Sequence, residues 1–188
     1  MATFVTSDLH FGHEQKFLYE PRGFSSIEEH DEAIIKRWNE VITPEDTVWV
    51  LGDLMLGNNE LGLQKLKRLN GRLNIVRGNH DSEVRMSLYQ TLDNVDSIQE
   101  GKFLRYKKYN FYLSHYPCLD GNYDSDKSLK ARVISLCGHS HTSDAFNDWD
   151  NGLIFHTELD THDCVPWNLD NIIKLLREKY EEERYYYL

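Results

Sequence analysis

Apolar residues come in short runs along this chain, and most of the runs stop at a cluster of polar, metal-capable side chains. Residues 2–7 predict a short buried strand that stops at Asp8. A helix is predicted at about 26–42, where Ser26 and Glu29 form a capping-box pattern. Within it, Ile27, Ile34, Trp38 and Val41 recur at helical spacing. Thr43-Pro44-Glu45-Asp46 reads as a turn, and residues 47–51 as a second buried strand running into Gly52-Asp53. Leu61, Leu63, Leu66 and Leu69 predict a helix that ends near Gly71. A third strand over 73–77 terminates at Gly78-Asn79-His80-Asp81.

Residues 102–107 and 110–115 have the pattern of a hairpin whose second strand ends at Ser114-His115. A strand over 132–137 ends at Gly138-His139-Ser140-His141, and a last one is predicted over 153–159. Asn168 is placed to cap a C-terminal helix through about Lys179. Alternation of strands and helices predicts an α/β chain, and no repeat or linker divides residues 1–188, so a single domain is expected.

Composition narrows the class. The chain is 40% hydrophobic and 28% charged, and its apolar runs are too short to span a bilayer, so no membrane partner is expected. The N-terminus has no basic region ahead of an apolar stretch, and Cys118, Cys137 and Cys164 form no disulfide or metal pattern. A cytoplasmic address is the expectation. The net charge of −10 disfavours long nucleic acids but not a small phosphorylated substrate, because bound cations can invert the sign inside one cleft. Glu181-Glu182-Glu183 accounts for part of that charge and reads as a solvated helix face.

The strand-end clusters are Asp8-x-His10, Gly52-Asp53, Gly78-Asn79-His80-Asp81, His115 and Gly138-His139-x-His141. In open α/β sheets, sites gather where the carboxyl ends of strands meet, so these fragments can converge on one cleft. Mixed nitrogen and oxygen donors suit Mn²⁺, Fe or Zn²⁺ rather than Ca²⁺, and the lack of thiolates argues against a structural zinc site. Singly most of these clusters are weak signals; Gly-Asn-His-Asp arises by chance in a chain this long on the order of one time in a thousand.

In content and order, the five clusters over about residues 3–141 resemble the motifs of calcineurin-like metallophosphoesterases. The opening Ser7-Asp8-Leu9-His10-Phe11-Gly12-His13 is similar to a short bacterial or phage subgroup. The resemblance implies a four-layer α/β sandwich, with two central mixed β-sheets flanked by helices and two divalent metal ions at one end of the strands. It places Asp8, His10, Asp53 and His141 around one metal, with Asp53 bridging to a second held by Asn79, His115 and His139. Mn²⁺ is the expected metal, with Fe, Zn, Ni and Mg as alternatives. One stretch departs from the pattern: small relatives tend to carry an Asn-Val-Gly-like segment before an Asp, where this chain has His156-Thr157-Glu158-Leu159-Asp160.

The implied activity is hydrolysis of a small phosphate ester by a metal-bridging hydroxide, with phosphodiesters favoured over monoesters and cyclic nucleotides or nucleotides included. Two cations roughly 3.5–4 Å apart clamp both ends of an in-line displacement at phosphorus. His80, outside the ligand set, can protonate the leaving alkoxide as general acid, and Asp81 is expected to orient that imidazole. His13 and Arg77 are candidate phosphate contacts; the competing readings are a surface histidine bonded to backbone and a salt bridge to an acidic neighbour. His30, His156 and His162 read as structural. The loop from about 119 to 130 reads as substrate rim, and Tyr185-Tyr186-Tyr187 as packing against the body or a second subunit, leaving monomer and homo-oligomer both open. The alternatives are an idle scaffold of the same fold, as one retromer subunit resembles, and a nuclease.

Overall fold

The strand β1 (Thr3–Thr6) is buried on both faces, and its parallel partner β2 (Thr47–Val50) shares that pattern. Adjacent apolar residues, Phe4-Val5 in β1 and Val48-Trp49-Val50 in β2, put apolar side chains on both faces, as a sheet covered on both sides requires. β3 (Arg72–Val76) and β4 (Val95–Gln99) continue the parallel set, and β9 (Trp167–Asn168) closes the other edge antiparallel, giving the order β4-β3-β2-β1-β9. The second sheet has the order β5-β6-β7-β8, from β5 (Lys102–Tyr106), β6 (Tyr109–Leu113), β7 (Val133–Cys137) and β8 (Ile154–His156). Here β5 and β6 form the expected antiparallel hairpin, and β6, β7 and β8 run parallel. Residues 1–118 and 126–186 are described in this computed structural model, with 182–186 as backbone only. The segment 119–125 and the side chains of the tyrosine tail, for which substrate-rim and packing roles are expected, lie outside the described residues.

Parallel neighbours need crossovers. These are α1 (Lys16–Tyr19) with α2 (Ile27–Val41), then α3 (Asn59–Leu66), then α4 (Glu83–Tyr89). Ile34 and Trp38 of α2, Leu66 of α3 and Tyr89 of α4 pack with Phe4, Val48, Val50 and Ile75, so one face of the first sheet is a helix layer. The alternate residues Val5, Trp49 and Val76 face Phe111, Leu113 and Ile134 of the second sheet. Leu169, Ile172 and Leu176 of α5 (Leu169–Tyr186) join that second core. The fold is thus α/β with two mixed sheets and flanking helices. Phe103 and Tyr112, paired across the hairpin, are exposed on the second sheet.

Local signals account for most boundaries. Ser26 caps α2 by accepting from the Glu29 amide at 3.2 Å. The return bond of the capping box goes instead to Ser25, whose amide and hydroxyl both donate to the Glu29 carboxylate. Asn168 caps α5 through the Asp170 amide at 2.9 Å, and the helix runs past Lys179 to Tyr186. The strand expected over 153–159 is confined to Ile154–His156, followed by a lone bridge from Glu158 to Ser7. Four of these elements have no counterpart in the sequence reading: α1, α4 and the edge strands β9 and β4, the latter with no buried residue. Among the described residues, no helix is long and apolar enough to cross a membrane.

Candidate metal centre

The candidate ligands stand within four residues of the carboxyl ends of β1, β2, β3, β6 and β7, so the topology gathers them at one end of both sheets. Turning sharply there demands unusual backbone. Asp8, His10, Asp53, His139 and His141 all have φ between 48° and 76°, the left-handed region that costs an L-residue about 1–2 kcal/mol. Such clustering of strained residues belongs to sites whose surroundings over-determine them. The bracing is visible: the Asp8 amide donates to the Gly52 carbonyl at 3.1 Å, and the His10 amide to the Asp53 carbonyl at 2.9 Å. Gly52 has φ +94°, and a Cβ there would come within 2.6 Å of the Gly78 Cα and 2.7 Å of the His115 Nδ1. The two glycines let the second and third motif turns touch.

Two groups of donors result. His10 Nε2 and His141 Nε2 lie 3.2 Å apart, each 3.6 Å from Asp8 Oδ1. His115 Nε2 and His139 Nδ1 also lie 3.2 Å apart, and Asn79 Oδ1 is 2.7 and 2.8 Å from them. Asp53 Oδ2 stands between the groups, 3.6 Å from His10 Nε2 and 3.6 Å from His115 Nε2. Donor atoms sharing one cation at bond lengths of about 2.1 Å sit roughly 3.0–3.4 Å apart, so both groups have nearly the spacing of a coordination shell.

Chemistry supports the fit. Asp8 Oδ1 is fully buried with no hydrogen-bond partner, while its Oδ2 accepts from the His139 amide at 2.9 Å. An orphan carboxylate oxygen aimed into a nest of imidazoles is a position that a cation satisfies. Burial pushes the Asp8 carboxyl up, but His10, whose Nε2 stands 3.6 Å from Oδ1, and the His141 and His115 rings outweigh it and hold it down at about 2. Asp53 is pushed the other way, by burial and by the Asp8 and Asp81 charges, against the pull of His115 and the His80 amide. Crowded acidic groups of this kind are relieved by bound cations. The ring tautomers follow from outer partners: His115 Nδ1 bonds the Leu51 carbonyl at 2.8 Å, and His141 Nδ1 faces Asp160 Oδ2 at 3.2 Å, leaving both Nε2 atoms for the centre.

The remaining expected site residues divide. His80 and His13 border the centre, with ring centroids each 5.4 Å from that of His10. Burial, then the neighbouring His10, His80, His141 and Arg22, push the His13 imidazole down to about 4, so at neutral pH it is an uncharged donor and acceptor. Asp81 does not orient His80. Its Oδ2 accepts from the Asp53 and Gly78 amides at 2.8 and 2.9 Å, and its Oδ1 from the Tyr89 hydroxyl at 2.8 Å, so the carboxylate braces the two motif turns from below. Nor does Arg77 reach the centre: its Nε donates to the Asp81 carbonyl at 3.0 Å, and its Nη1 pairs with Glu83 at 2.6 Å and Glu100 at 3.6 Å. The salt-bridge reading of Arg77 replaces the phosphate contact.

That role of Asp81 gives a stability prediction. Asp81→Ala leaves buried amides and a phenol without an acceptor, each worth about 1–3 kcal/mol. Urea unfolding of the metal-free protein should show a loss of at least about 3 kcal/mol for Asp81→Ala. Tyr89→Phe removes one donor and should lose about 1–2 kcal/mol. A change below half a kcal/mol in Asp81→Ala would contradict the bracing role.

Several residues around the centre were not legible beforehand. Arg22, with its side chain 1% exposed, donates from Nε and Nη2 to both Asp160 oxygens at 2.9 and 2.7 Å. Glu158 accepts from the Ser140 amide at 3.1 Å and faces His156 Nδ1 at 3.0 Å, while His156 Nε2 reaches Asp148 at 2.9 Å. The departing stretch 156–160 therefore underlies the loop that carries His139 and His141. His30 is buried between Arg22 and Asp31, and His162 stacks on Trp167.

The pattern of the calcineurin-like phosphoesterase superfamily domain matches residues 1–156, and the chain belongs to that superfamily. It is a metal-dependent family of hydrolases, and the Asp/His groups of this chain can bind metal. An uncharacterized protein of Methanocaldococcus jannaschii is 32% identical over 142 residues, 74% of this chain and 69% of that protein. The gene 66 protein of Mycobacterium phage L5 is 27% identical over 203 residues, 96% of this chain and 97% of its own. Among solved structures, a protein of unknown function from Aquifex aeolicus aligns with a TM-score of 0.69 at 25% identity, covering 93% of this chain and 98% of that one.

Proposed function

We propose that this protein hydrolyses a small phosphate ester, with diesters favoured, using two divalent cations of which Mn²⁺ is the first choice. The observation that carries the reading is the pair of donor groups joined by Asp53 Oδ2 at 3.6 Å from an imidazole of each. Asp8, His10, Asp53 and His141 would hold one cation, and Asp53, Asn79, His115 and His139 the other. Bound there, the cations would supply charge neutralisation at phosphorus and an activated water.

The chain's own residues do the rest. His80 stands at the rim, its side chain 41% exposed with Nε2 4.0 Å from Asp53 Oδ2, where it can give a proton to the departing oxygen. Neutral His13 can hydrogen-bond a non-bridging phosphate oxygen without adding charge. The net charge of −10 points to a small substrate, away from long nucleic acids.

The test is hydrolysis of bis-p-nitrophenyl phosphate and p-nitrophenyl phosphate by protein stripped of metal and reloaded with Mn²⁺, Ni²⁺, Zn²⁺ or Mg²⁺. Stripped protein should be at background, Mn²⁺ should restore turnover, and the diester should be cleaved faster. Full activity in excess chelator would overturn the metal-dependent reading, and a faster monoester would reverse the diester preference.

A further inference from the structure

We infer that Arg22 and Asp160 are positioning residues for the cation site of Asp8, His10 and His141, so that their loss weakens one of the two cations selectively. The inference rests on the metal-dependent reading above, and it concerns residues outside the motif set. Asp160 Oδ2 accepts a hydrogen bond from His141 Nδ1–H at 3.2 Å, which leaves the Nε2 lone pair facing His10 Nε2 and Asp8 Oδ1. A carboxylate behind a ligating imidazole fixes its tautomer and ring angle. Asp160 is fixed in turn by the Arg22 fork, which grips both carboxylate oxygens at 2.9 and 2.7 Å. Planar two-point contact of this kind is specific to guanidinium; an ammonium cannot reproduce it.

Arg22 also reaches the opposite side of the site. Its Nη2 donates to the Asp8 carbonyl at 2.9 Å, holding the left-handed Asp8 from behind. Its Nη1 donates to His30 Nε2 at 3.0 Å, so His30 keeps its proton on Nδ1 and donates to Asp31 Oδ1 at 2.7 Å. Asp31 Oδ2 accepts from the Gly12 amide at 2.9 Å and pairs with Lys65. One buried chain thus ties both ends of the Asp8–Gly12 loop and the back of His141 to α2. Arg22, Asp160, His30 and Asp31 make no hydrogen bond to Asn79, His115 or His139; the link to that group is the His139 amide, which donates to Asp8 Oδ2 at 2.9 Å. Because an ion pair this buried is a poor source of net stability, its value lies in where it holds His141 and Asp8. Removing the Asp160 charge would also leave the Arg22 cation unbalanced 3.5 Å from His141 Nδ1, opposing a metal on the far side of the ring.

The experiment is calorimetric titration of the metal-free full chain with Mn²⁺, alongside thermal unfolding of the same metal-free samples. Wild type should show two binding events. Asp160→Asn and Arg22→Lys should each weaken one event about 10–100-fold and leave the other within about two-fold, the range for outer partners of metal ligands. In a His141→Ala background, Asp160→Asn should add nothing to the weakened constant. Frozen-solution electron paramagnetic resonance at two equivalents should change from a coupled pair to isolated Mn²⁺. Equal weakening of both events, or a lowered thermal midpoint with both constants unchanged, would reduce the network to a brace of the fold and overturn the proposal. Should Asp160→Asn fail to fold, Arg22→Lys, which keeps the charge and loses only the fork, decides alone. Metal binding is read here without turnover: a wild type that binds two cations and cleaves no ester would end the phosphoesterase reading and leave this one standing.

Discussion

Asp53→Ala should empty the centre more completely than any other single ligand change, leaving less than one tightly held metal per chain and an activity loss above about 100-fold. The floor follows from outer partners of ligands, which alone cost 10–100-fold. The larger effect comes from position: Asp53 Oδ2 stands 3.6 Å from an imidazole of each donor group, so one carboxylate serves both. Its other oxygen accepts from the His80 amide at 2.8 Å, so the substitution also loosens the Gly78–Asp81 turn. Because Asp53 is left-handed at φ 56°, Asp53→Asn is the better-matched companion, since asparagine tolerates that backbone and keeps the shape while removing the charge. His141→Ala removes a ligand of one group only and should retain about one metal. Metal analysis of dialysed samples makes the comparison, and two tightly bound metals in Asp53→Ala would end the bridging assignment.

His80→Ala should separate proton donation from metal binding. The His80 backbone is held independently of its ring, by the amide bond to Asp53 and by Arg85 Nη1 donating to its carbonyl at 2.6 Å. Truncation should therefore leave both metals in place. p-Nitrophenolate departs readily as an anion, so aryl esters should keep much of their rate. Alkyl or nucleoside alkoxides are far stronger bases, and on them the loss should be roughly 10²–10⁴-fold, as for a positioned acid. His115→Ala should depress both substrate types together. The measurement is the ratio of kcat/KM for a good and a poor leaving group at one pH and metal load. Equal loss on both substrates, with metal content unchanged, would make His80 a phosphoryl-binding residue instead of an acid.

Much of this architecture is legible in the sequence because its signals are local. Apolar runs ending in motif residues mark β1, β2, β3, β6 and β7, since each strand is buried and each turn follows at once. β4 escapes because an edge strand of partly exposed residues carries no alternation to read. The misreadings share a cause. Asp81 follows His80 and Arg77 precedes Gly78, so adjacency suggested a common target, yet sharp turns send neighbouring side chains in different directions. Asp81 turns inward to amides and Tyr89, and Arg77 outward to Glu83. Arg22 and Asp160 are separated by 138 positions, and nothing around Arg22 advertises a partner. Pairings of that range become visible only when the chain is folded.

The left-handed ligand residues set a limit on transplanting this centre. Five such positions at about 1–2 kcal/mol each amount to roughly 5–10 kcal/mol, comparable to the whole stability of an ordinary domain. Copying the side chains onto the strand ends of another α/β sheet would give a regular backbone that points them elsewhere. A working graft would have to carry the glycine contacts, the Asp81 acceptor and the interlocked turns as one block, with a host stable enough to absorb the deficit until cations bind.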